Sequence, residues 1–316
     1  MTKFHIKKIS EINKDNLINF YKKAFDLENS DAHNYVWRYR LGYSDYEPLV
    51  LLNENEVCGH AGLLPIDIKL NNKIKKAIWF TDFYINKDLR SKGYGKILTQ
   101  EWMKLCPINI TVCNDLSLKV FKKLNWKFNN KFLRKLKIID HLNMITSFIK
   151  KNDSQNYLDF DNTNFSIETI SNKNISEVIK LTDESTKKNS SFLIRDESWF
   201  KWRILECPYR NQIYILKYKD NFIILRLKRK NKLNGLSIIF STMDLTTETL
   251  NLIARWGKKN KFCYLTFIDK DEGLNKFLPM QKKVNFAFHT FNNIELDELQ
   301  NNINNLQYID SDIDFL

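Results

Sequence analysis

The alternation of apolar and polar residues over the first 140 positions predicts a mixed α/β domain. Residues 4–9 alternate with the period of a strand, whereas the apolar residues of 17–25 recur every three to four positions, as in an amphipathic helix. The elements that follow are predicted as a short helix at 34–40, hairpin strands at 48–52 and 57–64, a strand at 77–85, a helix, a strand at 110–114 and a helix at 115–123. This order places three antiparallel strands ahead of a helix, a strand and a second helix.

The second half of the chain repeats this order of elements. Its predicted elements are a strand at 165–170, a helix from 174, hairpin strands at 213–218 and 222–227, a strand at 236–244, a helix at 246–256 and a strand at 262–267. The dipeptide Trp202-Arg203 stands in the second half where Trp37-Arg38 stands in the first. We therefore predict a first domain at 1–140, a linker at 141–163 and a second domain at 164–316.

Composition is that of a globular chain without a membrane span. Hydrophobic residues make up 43% of the 316 positions, and no stretch approaches the 18 consecutive apolar residues that a spanning helix needs. The five cysteines form no paired spacing and the five histidines do not cluster with them, which favours reduced thiols and no metal site. Because the first residues lack an apolar signal core, we expect a cytoplasmic protein.

The segment Arg90-Ser91-Lys92-Gly93-Tyr94-Gly95-Lys96 follows the strand at 77–85 and directly precedes a predicted helix. Glycine allows a ligand to approach the backbone closely, and a helix start offers N–H groups without partners and a partial positive charge. The segment therefore predicts a phosphate-binding loop. It lacks the Gly-Lys-Ser/Thr of the Walker loop and the third glycine of the dinucleotide fingerprint.

Arg90-x-x-Gly93-x-Gly95 after a strand resembles the acetyl-CoA loop of the GNAT acyltransferase superfamily, and Asn114 to Trp126 resembles the second signature of that family. The two signatures occur in the family's order and at the family's separation. The resemblance implies an α/β (α+β) chain with tandem GNAT-like folds, each a mixed, mostly antiparallel sheet flanked by helices. The second half has no Gly-x-Gly and no arginine between 244 and 250, so we expect it to be a degenerate copy that does not bind coenzyme A.

The resemblance also implies acetyl-CoA or another acyl-CoA as co-substrate. Its expected binding residues are Tyr84, Ile85, Arg90, Ser91, Lys92, Gly93, Tyr94, Gly95, Lys96, Asn114 and Phe121. The strand end at Tyr84-Ile85 would hold the pantetheine arm, and a backbone N–H there would polarise the thioester carbonyl. Phe121 stands where the family often has a tyrosine that protonates the leaving thiolate, so here the thiolate would leave unprotonated or through water.

Two residues are candidates for the general base that an amine acceptor needs. Asp82, on the central strand, is the first, because many family members place an acid there. His60, on the returning hairpin strand, is the second. The structural alternatives are that Asp82 is a hydrogen-bond acceptor within the fold and that His60 is a satisfied or an exposed histidine.

The net charge of +13 has three explanations: a proteome rich in lysine and asparagine, a polyanionic co-substrate, and nucleic acid, which we disfavour. We expect a bacterial enzyme that moves an acetyl or other short acyl group from coenzyme A to the amine of a small acceptor, with an amino-sugar precursor of surface polysaccharide favoured. The alternatives are transfer to a protein lysine or N-terminal amine, and a non-catalytic CoA-binding protein.

Overall fold

The computed structural model describes residues 4–70, 72–149, 165–188, 193–218, 220–230, 233–270, 280–291, 293–302 and 307. The first elements in chain order are β1 (Phe4–Lys8), α1 (Lys14–Phe25), α2 (Asn29–His33), α3 (Tyr35–Arg38), β2 (Leu49–Asn53), β3 (Glu56–Leu70), β4 (Lys73–Ile85), α4 (Tyr94–Met103), β5 (Ile108–Cys113), α5 (Asp115–Lys123) and β6 (Lys127–Asn129). The next are β7 (Phe132–Ile138), α6 (His141–Ile149), β8 (Ser166–Thr169), α7 (Asn172–Lys188), α8 (Glu197–Phe200), β9 (Ile213–Tyr218), β10 (Asn221–Lys230), β11 (Leu233–Ser241), α9 (Thr247–Lys259), β12 (Tyr264–Lys270) and β13 (Met280–Lys283). The last are β14 (Asn285–Thr290) and α10 (Asn293–Asn302).

The first compact unit comprises 1–128, 192–194 and 286–302. Its described strands form a sheet in the order β1-β2-β3-β4-β5-β14-β6. The strands from β1 to β4 pair antiparallel, whereas β4 and β5 pair parallel. The long strand β3 is buried along most of its length, which matches its nearly continuous apolar sequence.

The second compact unit comprises 129–191, 195–285 and 303–316. Its described strands form a sheet in the order β13-β7-β12-β11-β10-β9-β8. Each strand from β8 to β10 pairs antiparallel with the next strand in the chain. β11 pairs parallel with β12, and α9 connects these two strands. Two mixed, mostly antiparallel sheets with flanking helices therefore confirm the predicted fold class.

The chain exchanges strands between the two sheets, which the sequence pattern did not predict. β7 follows β6 in the chain but pairs with β12 and β13 of the second sheet. β14 follows β13 but lies between β5 and β6 of the first sheet. The predicted linker at 141–163 begins with α6, and its remainder from 150 lies outside the described residues.

The core of the first unit fixes the elements that surround the candidate site. The rings of Phe80 on β4 and Trp102 on α4 stack 4.2 Å apart, and the Phe121 ring of α5 lies 5.8 Å from Phe80. Trp126 packs against Phe121 at 4.4 Å. Because large aromatic side chains bury much apolar area, this cluster holds β4, α4 and α5 together.

Candidate active site

The candidate site lies where β4 and β5 separate. Within the described residues their parallel pairing is limited to two registers, Ile78 with Asn109 and Trp79 with Ile110. Just beyond, the Thr111 hydroxyl donates to the Phe80 carbonyl oxygen at 2.7 Å. β4 then continues to Ile85 and β5 to Cys113 without further pairing, so a gap opens between the two strands.

The end of β4 presents backbone groups to this gap. Asn86 donates its N–H to the Cys58 carbonyl oxygen of β3 at 2.8 Å. Because backbone groups of successive residues in a strand point to opposite edges, the N–H and carbonyl of Ile85 face away from β3. The Ile85 carbonyl oxygen instead accepts the Nε–H of Arg90 at 2.9 Å. Ile85 thus turns its backbone toward the gap.

The loop between β4 and α4 has the conformation of an anion site. Ser91 and Gly93 adopt positive φ angles of 62° and 89°. Gly93 is the N-cap of α4 and no side chain caps this helix end. The Ile97 N–H donates to the Gly93 carbonyl oxygen, and among the described residues no group accepts from the amides of 94–96. These three N–H groups stay available at an exposed helix start.

The start of α4 differs in this respect from the starts of α1, α5, α8 and α9. Each of those helices has its own side-chain cap, provided in turn by Asn13, Asn114, Asp196 and Thr246. At α4 the exposed side chains of Lys92 and Lys96 add positive charge beside the open amides. The arrangement therefore favours a phosphate or diphosphate group.

The loop lies directly against the end of β4. A Cβ atom placed on Gly95 would lie 3.7 Å from Ile85 Cγ1 and 3.7 Å from the ring of Phe83. A Cβ on Gly93 would meet no atom within 4 Å. The open amides and the backbone of Ile85 are therefore neighbours, as an extended ligand with a diphosphate and an acyl arm requires.

Two predicted contact residues direct their side chains into the protein. The Tyr84 ring packs 5.8 Å from the rings of both Phe20 and Phe25. The Tyr94 ring lies 4.1 Å from the Phe4 ring. The backbone of Tyr84 pairs with β3 opposite His60, so of these two residues only Tyr94 has its backbone N–H at the open helix start.

The second signature contributes mainly to the fold in this structure. The Asn114 side-chain oxygen accepts the N–H groups of Leu116 at 3.1 Å and Ser117 at 2.9 Å, which caps α5. No described residue accepts a hydrogen bond from its amide nitrogen. The Phe121 ring is buried in the aromatic core, where it has no proton to donate.

The thiol at the end of β5 is not an activated nucleophile. Burial raises the pKa of the Cys113 thiol to about 11, and the neighbouring Asp115 carboxylate adds to the rise. Burial likewise raises the pKa of Cys58 to about 11. Because the thiolate is the reactive form, both side chains stay inert at neutral pH. A covalent intermediate on either thiol is therefore disfavoured.

The carboxylate of Asp82 is held by two side chains of the segment that includes α3. Its Oδ2 atom accepts the Tyr39 hydroxyl at 3.0 Å and lies 3.5 Å from Nη1 of Arg38. Its Oδ1 atom has no hydrogen-bond donor among the described residues. The side chain is 23% exposed, so a small donor group can approach the carboxylate. Sequence reasoning missed Arg38 and Tyr39 as partners, although both belong to the Trp-Arg segment that it noted.

His60 lies in the core of the first unit, with none of its surface exposed. Its Nδ1 atom lies 2.8 Å from the Asp82 carbonyl oxygen and its Nε2 atom 3.2 Å from the Tyr21 hydroxyl. Since a carbonyl only accepts, Nδ1 carries the proton and Nε2 accepts from Tyr21. Burial lowers the pKa of His60 to about 4 and raises that of Tyr21 well above its ordinary value. Both ring nitrogens are engaged inside the protein.

The buried imidazole makes the stability of the chain dependent on pH. The pKa of His60 falls from 6.5 to about 4 on folding, so below pH 6.5 the unfolded chain binds a proton that the folded chain does not. His60 therefore stabilises the fold fully above pH 6.5, and this contribution of roughly 3 kcal/mol is lost as the pH falls toward 4.

Urea unfolding at several pH values checks this expectation. Between pH 6.5 and 4 the free energy of unfolding should fall more steeply in the wild type than in His60→Asn, by at most about 1.4 kcal/mol per pH unit. Burial also lowers the pKa of His289, which contributes equally to both proteins. Identical pH dependence of the two proteins would show that His60 is not buried in the neutral form.

The second unit lacks an open helix start at the corresponding place. Thr246 caps α9 by accepting the Thr249 N–H at 3.2 Å, and Glu248 places a carboxylate in the first turn. An anion would meet a satisfied amide and a like charge there.

No group of three or more His, Cys, Asp or Glu side chains is close enough together to hold a metal ion in the described part of the chain. Among the described helices, none combines the length and apolar character needed to cross a membrane.

Comparison with known proteins agrees with this geometry. Residues 14–126 match the family model described as the acetyltransferase (GNAT) family. A curated protein of Amsacta moorei entomopoxvirus, named putative glycylpeptide N-tetradecanoyltransferase, is 25% identical over 301 residues, which cover 92% of this chain and 85% of the relative. This relative is viral, so the expected bacterial source has no support from it.

Solved structures share the fold. A GCN5-related N-acetyltransferase from Anabaena variabilis has a TM-score of 0.63 at 15% identity, covering 93% of this chain and 74% of that one. The N-myristoyltransferase of Saccharomyces cerevisiae with bound myristoyl-CoA has a TM-score of 0.60 at 11% identity, covering 92% and 83%. Both similarities extend across the two units, which confirms the tandem fold that the sequence predicted.

Proposed function

We propose that this chain, whose residues 14–126 match the acetyltransferase (GNAT) family model, transfers a fatty acyl group from coenzyme A to the N-terminal amine of a peptide or protein. The single observation that carries the use of acyl-CoA is the uncapped, exposed start of α4 beside the backbone of Ile85. Its amides would bind the diphosphate, and the gap between β4 and β5 would receive the pantetheine arm.

The acceptor is inferred from the relatives and from the chemistry of the amine. The curated relative is named for a glycylpeptide acceptor, and no relative reported above is named for a sugar. An N-terminal amine with a pKa near 8 costs about 1 kcal/mol to deprotonate at pH 7, whereas a lysine amine costs about 4–5 kcal/mol. A site with one candidate carboxylate therefore suits the N-terminal amine better than lysine.

A fatty acyl group is favoured over acetyl by two features. The curated relative is named for a tetradecanoyl group. Large apolar side chains are also exposed on the elements around the gap: Phe83 on β4 is 40% exposed, Ile97 on α4 is 48% exposed and Val120 on α5 is 53% exposed. Such side chains offer an aliphatic chain an apolar surface that acetyl would not use.

The reaction needs few protein groups. The amine nitrogen attacks the thioester carbonyl carbon, the carbon–sulfur bond breaks, and coenzyme A leaves as a thiolate with a pKa near 8.5. Backbone N–H groups at the end of β4 would stabilise the negative charge on the carbonyl oxygen. Asp82 Oδ1 would receive the proton that the amine loses.

The test is a thiol-release assay with three acceptors and acyl-CoAs of several chain lengths. The acceptors are a peptide with a free N-terminal glycine, the same peptide with an acetylated N-terminus and an internal lysine, and a nucleotide-linked amino sugar. We expect turnover with the free N-terminus and tetradecanoyl-CoA, and none with the blocked peptide.

Each other outcome identifies another function. Turnover of the blocked peptide would point to lysine, and turnover of the amino sugar would restore the small-molecule acceptor expected from the sequence. Binding of acyl-CoA without turnover of any acceptor would favour the non-catalytic alternative.

A further inference from the structure

The central strand of the first sheet carries a bulge at the candidate site. His60 is opposite Tyr84 and Gly62 is opposite Thr81, so Ala61 alone faces two residues of β4. One of these two, Asp82, has a φ angle of 46°. A residue other than glycine in the left-handed region is uncommon, and bulges of this kind re-aim backbone groups next to active sites.

The His60 side chain holds the bulged peptide group. The Nδ1–H of His60 donates to the Asp82 carbonyl oxygen at 2.8 Å. The Tyr21 hydroxyl donates to the other ring nitrogen of His60 at 3.2 Å and thereby fixes the tautomer. The chain of hydrogen bonds runs from Tyr21 through His60 to the backbone of β4.

The imidazole has little freedom to move. Its ring centroid lies 5.2 Å from that of Tyr21, 5.4 Å from that of Tyr39 and 5.7 Å from that of Phe25. The Phe20 ring lies 6.2 Å away. A closely packed cluster of this kind holds a side chain in one rotamer, so the position of the Asp82 carbonyl oxygen is fixed through His60.

The direction of the next N–H follows from the planarity of the peptide. In a trans peptide the C=O of one residue and the N–H of the next point in opposite directions. Because the Asp82 carbonyl is drawn to His60 in the core, the Phe83 N–H points away from the aromatic cluster. The Phe83 ring contacts the position of a Gly95 Cβ atom at 3.7 Å, so this residue adjoins the phosphate loop.

We propose that His60 is a positioning residue that holds the Asp82 carbonyl so that the Phe83 N–H is aimed at the carbonyl oxygen of the bound thioester. This role rests on the proposed use of acyl-CoA. It differs from a general base, because His60 touches neither substrate and exchanges no proton during the reaction. It explains why a polar side chain is buried in the apolar run of β3.

Two substitutions distinguish the contribution of Nδ1 from that of Nε2. The amide nitrogen of asparagine can occupy the place of Nδ1, so His60→Asn retains a donor to Asp82. The longer glutamine places its amide near Nε2, so His60→Gln retains the contact with Tyr21 and loses the donor to Asp82. Both variants lose the ring, and the loss of packing is therefore matched between them.

The first readout is steady-state kinetics. We expect His60→Gln to lower kcat about a hundredfold, the cost of one misdirected oxyanion donor, with KM for acyl-CoA unchanged because the phosphate loop is intact. His60→Asn should keep kcat within about threefold of the wild type, as expected when the donor is retained. Equal losses of kcat in the two variants would show that His60 has only a packing role.

The second readout does not need an acceptor. A ketone analogue of acyl-CoA, with a methylene between sulfur and carbonyl, is compared with the alkyl thioether that lacks the carbonyl. The ratio of their dissociation constants should change about tenfold in His60→Gln and little in His60→Asn, as expected for one hydrogen bond. An unchanged ratio in both variants would overturn the positioning role of His60 but leave the proposed function standing. Failure of the wild type to bind either analogue would overturn both the proposed function and this role.

Discussion

Gly93→Val is expected to weaken acyl-CoA binding at least about tenfold while the fold persists. Gly93 has a φ angle of 89°, which a β-branched residue does not adopt without strain. A Cβ there would meet no protein atom within 4 Å, so the effect acts through the backbone and not through a clash. When the loop relaxes, its amides lose their alignment, and each hydrogen bond lost to a charged group costs about 1.5–3 kcal/mol. Isothermal titration with acyl-CoA measures the change.

Gly42 provides a matched control. Its φ angle is 88° and a Cβ would likewise meet no atom within 4 Å, but it lies in the segment between α3 and β2 and is not part of the phosphate loop. Gly42→Val should lower the melting temperature by a similar amount and leave acyl-CoA affinity unchanged. Pantetheine, which lacks the diphosphate, should bind Gly93→Val and wild type alike. If Gly93→Val binds acyl-CoA with the affinity of the wild type, the loop amides do not bind the diphosphate.

Asp82→Asn is expected to lower kcat about a hundredfold or more at pH 7, with little change in KM for acyl-CoA. The amide oxygen can still accept from Tyr39 and Arg38, so the local structure is kept and only the proton acceptor is lost. The loss should shrink above pH 8, because an N-terminal amine is then largely neutral and no longer needs a base. The measurement is the kcat of both proteins from pH 6.5 to 9.

The chain contains a matched carboxylate for this experiment as well. Asp67 accepts the Tyr43 hydroxyl at 2.8 Å and pairs with Lys76 at 2.7 Å, much as Asp82 is held by Tyr39 and Arg38. Asp67→Asn should therefore leave kcat unchanged. If Asp82→Asn is as active as Asp67→Asn, the Asp82 carboxylate has a structural role and the amine loses its proton to water.

The parts of the site that local sequence determines were predictable. A strand, two glycines and a helix fall within a short stretch, so the position and the openness of the loop at Gly93 follow from nearest neighbours. Asn114 was also located correctly at the start of a helix. The structure adds that its oxygen caps α5, which a polar residue before a helix equally predicts.

The parts that depend on distant residues were not predictable. Whether β7 pairs beside β6 or beside β12 is decided by register between segments far apart in the chain, and the apolar pattern of β7 fits either sheet. The partners of Asp82 come from a segment more than forty positions earlier, and no local signal joins them. The bulge at Asp82 arises from unequal spacing of two paired strands.

For His60, the strand position was predictable from the sequence but the hydrogen-bond partners were not. Its position on the returning hairpin strand was predicted, but the sequence left open whether the histidine is satisfied inside the fold or exposed. The identity of its two partners, a hydroxyl from α1 and a carbonyl from β4, required the three-dimensional arrangement.

A crystal structure of the chain with a non-hydrolysable thioether analogue of acyl-CoA tests the central claim most directly. We expect diphosphate oxygens at hydrogen-bond distance, about 2.7–3.2 Å, from the backbone nitrogens of Tyr94, Gly95 and Lys96, with the acyl arm in the gap beside Ile85. A diphosphate bound anywhere else, with those three amides facing solvent, would contradict it.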